Sequence, residues 1–387
     1  MKTKSFCVLP FNSLATTPGG TLRVCCNSDT NLNVIRKDDG SRYKVYKDDL
    51  NEAWHSPDYR TVRRQMLNGD WPKMCSRCLK EENAGLESAR NRFNNKWYDD
   101  TIIYTEDQDF NIQYLDLRLG NLCNLKCRMC NPYSSNQWIK EWKLLGNSWQ
   151  SEEERAWLSK LEWPTYHKLW NSLLDAVDSI EEIYLTGGEP TIIKEQYKLL
   201  NYLIKEGKSK NIKLKYNTNL TNIPDELVEL WKHFYFVQLN CSIDGIGELN
   251  RYIRYPSNWN VILQNFLYFR TWPNIYIEIH CTVQVYNILV LDEFIEHFKK
   301  YNHTLYFNIL DNPSYLNIQI LPKELKEIVT DKLSKYYHMP RIEGLVNYMN
   351  AVDKSKELEL FLKNTAIIDK ARGQNFLDLQ PEFKKWT

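Results

Sequence analysis

The stretch Cys123-Asn-Leu-Lys-Cys127-Arg-Met-Cys130 places three cysteines within eight residues. The segment just before it, Ile112-Gln-Tyr-Leu-Asp-Leu-Arg-Leu119, alternates between apolar and polar side chains and is predicted to form a β-strand. Three thiolates at this spacing cannot all pair as disulfides, whereas they can coordinate one face of a metal cluster. The sequence therefore predicts a strand that leads directly into a metal-binding loop.

The number of ligands restricts the metal that this cysteine triplet can hold. A structural zinc ion takes four protein ligands, and no further Cys or His lies within ten residues of the triplet. Three cysteines around an iron–sulfur cube leave one iron without a protein ligand, so a small molecule can bind to that iron. The alternatives are a zinc knuckle and three unrelated buried thiols, because free cysteines commonly pack as small apolar side chains.

A second motif, Thr186-Gly-Gly-Glu-Pro190, follows a predicted strand near residues 180–185. Its two glycines allow a ligand to approach the backbone closely, and Glu189 can accept a hydrogen bond from an ammonium group. In combination with the cysteine triplet, this motif resembles the signature of the radical S-adenosylmethionine (SAM) superfamily.

The resemblance implies which residues bind each cofactor. Cys123, Cys127 and Cys130 would hold a 4Fe–4S cluster, and SAM would chelate the iron that lacks a protein ligand. The Gly-Gly-Glu motif would hold the SAM amino group. The residues implied to contact SAM are Gly187, Gly188, Glu189, Asn219, Ser242, Arg254 and Val283.

Several of these SAM contacts rest on further local matches. The segment Cys241-Ser-Ile-Asp-Gly245 resembles a strand end of peptide-modifying members of the superfamily and implies that Ser242 lies near the SAM ribose. Arg254 resembles the arginine that pairs with the SAM carboxylate, and Arg251 is the rival candidate for that role. Val283 is implied to touch the adenine ring.

Predicted strands alternate with predicted helices over residues 109–320. The strands lie near residues 112–119, 180–185, 212–217, 236–243, 276–283 and 304–310, and helices lie near residues 192–206, 224–233, 259–271 and 290–301. This alternation predicts an α/β fold with a parallel sheet, and the resemblance implies a partial (β/α)6 TIM-like barrel. Ligands then bind at the carboxyl ends of the strands.

The first 80 residues contain five more cysteines, namely Cys7, Cys25, Cys26, Cys75 and Cys78. A turn at Pro18-Gly19-Gly20 predicts a hairpin before Cys25. By spacing alone, four thiolates suit either a zinc ion or a 4Fe–4S cube. The resemblance to the auxiliary-cluster (SPASM or twitch) domains of radical SAM enzymes implies a second 4Fe–4S cluster. Its implied ligands are Cys7, Cys25, Cys75 and Cys78, with Cys26 as an alternative to Cys25.

Three domains follow from these motifs: an auxiliary-cluster domain at residues 1–108, a radical SAM barrel at 109–320 and a helical extension at 321–387. Side-chain alternation along the strands assigns polar residues to the barrel interior. This interior suggests a hydrated cavity for a polar substrate, with a self-satisfied polar network as the alternative. The residues expected to face inward are Tyr114, Asp116, Arg118, Lys215, Asn217, Gln238, Asn240, Ser242, Glu278 and His280, whereas Cys241 and Cys281 are expected to face the helices.

The composition excludes several classes of protein. The chain of 387 residues has 50 Lys and Arg against 49 Asp and Glu, so its overall charge gives no reason to expect nucleic-acid binding. No apolar run is long enough to span a membrane, and the amino terminus does not resemble a signal peptide. Ten cysteines without a secretion signal favour metal ligands and a cytoplasmic location.

The function that the resemblance implies is reductive cleavage of SAM to a 5′-deoxyadenosyl radical, which abstracts hydrogen from a substrate. The expected substrate is a ribosomally made peptide that becomes oxidised or cross-linked. The alternatives are a small polar substrate, such as a sugar or nucleotide, and a non-catalytic zinc or iron–sulfur scaffold. The expected electron donor is a one-electron reductant such as flavodoxin or ferredoxin.

Overall fold

The computed structural model describes residues 3–29, 32, 34–83, 87–148 and 151–387. The strands in this part of the chain are β1 (Ser13–Thr16), β2 (Leu22–Arg23), β3 (Tyr114–Arg118), β4 (Glu182–Thr186), β5 (Lys213–Thr218), β6 (Phe236–Ser242), β7 (Ile275–Val283) and β8 (Thr304–Ile309). The six strands predicted from the sequence correspond to β3–β8 and are confirmed. Their bounds differ from the predicted ones by two residues or fewer, because side-chain alternation marks a strand clearly.

Helices follow most of these strands. The α-helices of the described residues are α1 (Leu9–Asn12), α2 (Leu50–Trp54), α3 (Pro57–Asn68), α4 (Ser76–Asn83), α5 (Ala89–Trp97), α6 (Glu152–Ser159), α7 (His167–Asp175), α8 (Tyr197–Lys205), α9 (Asp225–Trp231), α10 (Glu248–Ile253), α11 (Trp259–Phe269), α12 (Leu291–Lys299), α13 (Lys323–Ser334), α14 (Ile342–Ala351), α15 (Leu358–Arg372) and α16 (Phe376–Leu379).

One sheet contains the strands in the order β2-β1-β3-β4-β5-β6-β7-β8. Strand β1 is antiparallel to β2 and parallel to β3, and the pairs β3–β4, β4–β5 and β7–β8 are also parallel. Strands β3 to β8 therefore follow one another in chain order, as in a (β/α) barrel, and the predicted α/β class is confirmed. The β1–β2 hairpin adds two strands beside β3.

The chain divides into two compact units. Unit 1 comprises Met1–Leu122, Lys160–Tyr216 and Pro224–Val237, whereas unit 2 comprises Cys123–Ser159, Asn217–Ile223 and Gln238–Thr387. This division does not test the predicted domain bounds 1–108, 109–320 and 321–387, which stay a prediction.

Unit 1 contains the amino-terminal hairpin and the first strands of the parallel sheet. The predicted turn at Pro18-Gly19-Gly20 is present, because the backbone N–H of Thr17 donates to the carbonyl of Thr21 at 2.9 Å and Gly20 has φ of 75°. A Cβ at Gly20 would meet the ring of Tyr46 at 2.8 Å, so only glycine fits this turn.

Unit 2 contains the last strands and the carboxyl-terminal helices. Strand β7 alternates strictly between buried and less buried residues, which is the pattern of a strand with one face against the helices. Cys241 and Cys281 are fully buried. The side-chain amide N–H of Asn240 donates to Oδ1 of Asn217 at 2.9 Å. Asn217 and Asn240 thus share one face, as predicted.

Among the described residues, no helix combines the length and the apolar character that a membrane crossing requires.

Candidate functional site

The cysteine triplet lies in the loop that follows β3 and belongs to unit 2. Cys123 and Cys127 are buried with 8% and 5% of their surface exposed, and Leu125 packs beneath them. The Cys130 thiol forms a hydrogen bond with Cys127 and lies within electrostatic range of Cys123. The three sulfurs that the sequence predicted to act together are therefore brought together by one short loop.

Backbone and indole hydrogen bonds fix the path of this loop. The N–H groups of Lys126 and Arg128 donate to the carbonyls of Tyr255 and Ile253 at 2.7 and 2.8 Å. The indole N–H of Trp138 donates to the carbonyl of Cys127 at 2.8 Å. These bonds fix the backbone on both sides of Cys127.

Among the charged residues around the triplet, Arg254 has the largest electrostatic effect on the pKa of Cys127. The hydrogen bond with Cys130 lowers the pKa of Cys127 against the effect of burial, and the positive charge of Arg254 lowers it further. Arg254 is 8% exposed, and its Nε lies 2.7 Å from Oδ2 of the buried Asp244. Its rival Arg251 is on the surface and pairs with Glu248 at 3.3 Å. Arg254 is therefore buried within electrostatic range of the triplet whereas Arg251 is exposed, and the predicted contact of either arginine with SAM stays a prediction.

Asn219 contacts the cysteine loop directly. Its side-chain N–H donates to Oδ1 of Asn124 at 2.9 Å, and its own Oδ1 accepts from the hydroxyl and the backbone N–H of Thr221. Asn219 is 5% exposed, and it therefore occupies a fixed position between the end of β5 and the loop.

Ser242 and Val283 end neighbouring strands of unit 2. Ser242 is partly exposed at the end of β6, where the adjacent N–H of Ile243 donates to the carbonyl of His280 at 3.1 Å. Val283 is fully buried on the same face of β7 as Cys281, whereas Thr282 lies on the opposite face. The predicted contact of Val283 with adenine stays a prediction, and this burial limits it to the backbone or a small part of the side chain.

The Gly-Gly-Glu motif belongs to unit 1 and follows β4. Gly188 has φ of 54°, and a Cβ at this position would lie 2.1 Å from the carbonyl oxygen of Leu122. The N–H of Glu189 donates to the same oxygen at 2.9 Å. The absence of a side chain at Gly188 therefore lets this motif pack against the backbone of Leu122, the residue that precedes Cys123 in the chain.

Glu189 is buried, with 1% of its surface exposed. Its Oε1 accepts hydrogen bonds from the hydroxyl and the backbone N–H of Thr191 at 2.7 and 3.3 Å. A carboxylate held in this way has a defined orientation.

The four predicted amino-terminal ligands converge in unit 1. Cys7, Cys25, Cys75 and Cys78 line one cavity together with the apolar side chains of Leu9, Val24 and Met66 and the cation Arg90. Burial, and then the electrostatic effect of Cys25, raise the pKa of Cys7 well above its usual value. Formation of a cluster here would therefore release protons from the thiols.

The alternative ligand Cys26 lies elsewhere. Its pKa is raised by burial and then by Asp116, a residue of β3, and Arg118 and Arg23 are also within electrostatic range. Cys25 and Cys26 thus lie in two different environments. Of these two residues, Cys25 is the one that lines the cavity with Cys7, Cys75 and Cys78.

The donor sets of both cysteine groups fit iron–sulfur clusters. Thiolates are the usual protein ligands of such clusters, and a site with three of them retains an open iron. Within the described residues, no three His, Cys, Asp or Glu side chains are close enough together to hold one metal ion. The amino-terminal thiols are instead distributed around the walls of their cavity.

Comparison with known protein families agrees with this chemistry. Residues 117–271 match the family model of the radical SAM superfamily. The chain therefore contains a radical SAM domain. Residues 7–79 match an iron–sulfur cluster-binding domain of the SPASM type. The predicted family is confirmed, and its cofactors are a 4Fe–4S cluster with SAM and additional iron–sulfur binding in the SPASM domain.

Solved structures of Streptococcus suis SuiB are similar to this radical SAM chain. SuiB bound to S-adenosylmethionine is 15% identical, with 87% of this chain and 69% of SuiB covered and a TM-score of 0.33. SuiB without a named ligand is 16% identical over 87% and 70%, with a TM-score of 0.34. SuiB bound to the precursor peptide SuiA is 17% identical over 68% and 60%, with a TM-score of 0.35. No curated protein matches the chain.

Sequence reasoning missed the contacts that the carboxyl-terminal helix α15 makes with the cysteine loop. Asp369 forms an ion pair with Arg128, which lies between two of the triplet cysteines. Arg372 donates to Glu141 at 2.8 and 3.0 Å, and Glu141 also pairs with Lys126. The only available signal was the alternation of cysteines and cations in the loop, which does not reveal a partner more than 200 residues away.

Proposed function

We propose that the chain is a radical SAM oxidoreductase that matures a ribosomally made peptide by oxidation or cross-linking. The observation that carries the proposal is the convergence of Cys123, Cys127 and Cys130 beside the buried Arg254. When bound, the reduced 4Fe–4S cluster and SAM supply a 5′-deoxyadenosyl radical that abstracts hydrogen from the substrate.

The residues of the chain would bind and orient SAM. Arg254 carries a positive charge that suits the SAM carboxylate, and Asp244 holds the guanidinium in place. Glu189 would accept from the SAM ammonium group, while Gly187 and Gly188 let the motif pack against the backbone of Arg118 and Leu122. Asn219, Ser242 and Val283 would provide the remaining contacts at the carboxyl ends of their strands.

Cys7, Cys25, Cys75 and Cys78 would hold the auxiliary cluster, because they line one largely apolar cavity within the SPASM match. A cluster saturated by four thiolates can accept an electron and has no position for SAM. We propose that it accepts an electron from the substrate, which makes the net reaction an oxidation.

A peptide is the substrate that the site features favour. The Cys241-Ser-Ile-Asp-Gly245 segment resembles peptide-modifying members of the superfamily. Strands β6 and β7 also present polar side chains on one face, including Gln238 and Asn240, which hydrogen bond at 2.8 Å, and His280, which contacts Glu278 at 3.0 Å. Such groups suit the many donors and acceptors of a peptide backbone. A cytoplasmic location and a flavodoxin or ferredoxin as reductant complete the proposal.

Anaerobic turnover tests the proposed function. The reconstituted chain, reduced with dithionite and given SAM, is expected to release 5′-deoxyadenosine and methionine. A variant with Cys123, Cys127 and Cys130 replaced by Ala is expected to release none, although it folds and keeps the iron of its amino-terminal site. If the wild-type chain forms no 5′-deoxyadenosine although both clusters are present spectroscopically, the enzymatic proposal is wrong. Genes for short peptides next to the coding gene would supply candidate substrates, and a sugar or nucleotide that is consumed instead would refute the peptide assignment.

A further inference from the structure

Three charged side chains of unit 1 lie on one face of the sheet. Strand register pairs Ala15 of β1 with Arg23 of β2 on one side and with Asp116 of β3 on the other. Residues paired in register project to the same face, so Arg23 and Asp116 point the same way. Arg118 follows two residues after Asp116 on the same strand and shares this face.

These side chains are buried and incompletely paired. Arg23 and Asp116 are 3% and 1% exposed. Within the described chain, no hydrogen-bond partner is present for Nε and Nη2 of Arg23 or for Nε of Arg118, whereas Asp116 accepts a hydrogen bond from the thiol of Cys26.

The balance of charge in this group favours an anion. Two guanidinium groups share this face with one carboxylate. Buried charges without partners cost several kcal/mol, so a ligand that supplies acceptors for the two arginines would stabilise the group. A carboxylate matches the planar fork of donors on a guanidinium.

The position of Arg118 gives a ligand access to the group. Arg118 is the last residue of β3, is partly exposed, and pairs in register with Thr186 at the end of β4. A Cβ on the next residue, Gly187, would lie 3.1 Å from the Cα of Arg118. The group therefore reaches the carboxyl edge of the parallel strands, where ligands bind in this class of fold.

We propose that Arg23, Asp116 and Arg118 form a carboxylate-binding subsite for an acidic residue of the peptide substrate. The subsite rests on the proposed function, because the peptide that it binds is the substrate of the proposed reaction. Arg23 and Arg118 bind the carboxylate, and Asp116, on the same strand as Arg118, lies within electrostatic range of both guanidinium groups. The substrate class is therefore a peptide that carries Glu or Asp.

A pair of capped peptides tests this subsite on the full chain, with both clusters loaded and SAM saturating. The probes are Ac-Ala-Glu-Ala-NH2 and the isosteric Ac-Ala-Gln-Ala-NH2, and binding is measured by calorimetry or saturation-transfer NMR. The acidic peptide is expected to bind about tenfold more tightly, the scale for a charge-assisted hydrogen bond. Arg23→Gln should remove this preference and Arg23→Lys should keep part of it. Asp116→Asn should increase the preference, because it removes the competing negative charge.

Controls separate this subsite from a structural role and from SAM binding. Arg92→Gln, which changes an exposed arginine that donates to the carbonyl of Glu87, should leave the preference unchanged. Equal binding of both peptides to the wild type would overturn the inference. So would a preference that persists in both Arg23→Gln and Arg118→Gln, or a loss of SAM affinity in these variants without a change in the peptide preference. Release of 5′-deoxyadenosine by the wild type without peptide is recorded separately, so failure of the subsite is distinguishable from failure of the proposed function.

Discussion

Gly188 is a residue at which a single methyl group should disrupt the site. A Cβ there would lie 2.1 Å from the Leu122 carbonyl oxygen, so Gly188→Ala must displace the start of the cysteine loop. We expect it to abolish measurable SAM binding and to lower stability by about 3 kcal/mol, from strain at positive φ plus overpacking.

Gly207→Ala is the matched control for this change. Gly207 also has positive φ, at 68°, but nothing lies within 4 Å of the added Cβ. Gly207→Ala should lower the free energy of unfolding by only about 1 kcal/mol and leave SAM binding intact. Calorimetric SAM titration and thermal unfolding of both variants measure the difference, and equal effects would show that the contact with Leu122 is unimportant.

Arg254 provides the second prediction at this scale. Arg254→Gln should weaken SAM binding by about tenfold or more, as expected for loss of a charged hydrogen-bond donor. It should also destabilise the chain by about 3–5 kcal/mol, because Asp244 is left buried without its partner. Arg251→Gln, at the surface, should change neither quantity.

A double variant separates the two effects of Arg254. Arg254→Gln combined with Asp244→Asn should recover much of the stability in urea unfolding, but not the affinity for SAM. Recovery of SAM affinity together with stability would mean that Arg254 acts only by packing.

The sequence predicted the residue-level motifs well because each is local. The cysteine triplet and the Gly-Gly-Glu motif lie within eight and five residues, so their spacing is visible without a fold. The sequence did not allow a choice between Arg251 and Arg254 as the arginine that pairs with the SAM carboxylate. This choice depends on where α10 ends, since Arg251 lies on the exposed side of that helix whereas Arg254 follows its last residue and turns inward.

At the scale of elements, helix α15 acts as a clamp on the cysteine loop. Asp369 accepts from the Tyr252 hydroxyl at 2.8 Å and from the Phe376 N–H at 2.7 Å, and it pairs with Arg128 of the loop. The guanidinium of Arg128 also stacks on the ring of Tyr252, 3.6 Å from its centroid. The carboxyl-terminal extension therefore fixes the loop that would hold the cluster.

The pH dependence of stability tests this clamp. Burial alone would raise the pKa of Glu141, but hydrogen bonds from Lys126 and Arg372 lower it below its usual value. A lowered pKa in the folded state stabilises the fold above the unfolded pKa, and this stabilisation is lost as the pH falls through the folded pKa. Glu141→Gln should therefore cost about 3 kcal/mol at pH 7, and the difference from the wild type should shrink below about pH 4.

Glu152→Gln is the control for Glu141, because Glu152 is exposed and pairs only with Arg155 at 3.0 Å among the contacts described for it. It should change stability by less than about 1 kcal/mol at any pH. Urea unfolding followed by circular dichroism measures both variants, and a pH-independent effect of Glu141→Gln would contradict the ion-pair explanation.

For the whole molecule, we expect two iron sites that load separately. Replacing Cys75 and Cys78 with Ser should remove about four irons per chain and leave the spectroscopic signal of SAM bound to the first cluster, because a cube needs its full set of thiolates. Replacing the three cysteines of the triplet with Ala should remove about four irons per chain from the other cluster. Cys26→Ser should retain all iron, since Cys26 lies beside Asp116 and not in the cavity.

Iron content and electron paramagnetic resonance measure this prediction. Loss of both signals from either set of variants would show that the two sites depend on each other. The sequence could suggest the four amino-terminal ligands from their spacing, but it left Cys25 and Cys26 equivalent. Only the end of strand β2, which turns one thiol to each side, separates them.

The pairing of β1 with β3 affects whether fragments of the protein stay dispersed when they are expressed. Strand β1 covers the edge of β3 through the register Ser13 to Tyr114, Leu14 to Leu115 and Ala15 to Asp116. A fragment that starts at residue 109 would leave the N–H and C=O groups of β3 free to pair with another chain. Such a fragment should aggregate on expression, whereas truncations that keep residues 13–16 tethered beside β3 should remain dispersed in gel filtration.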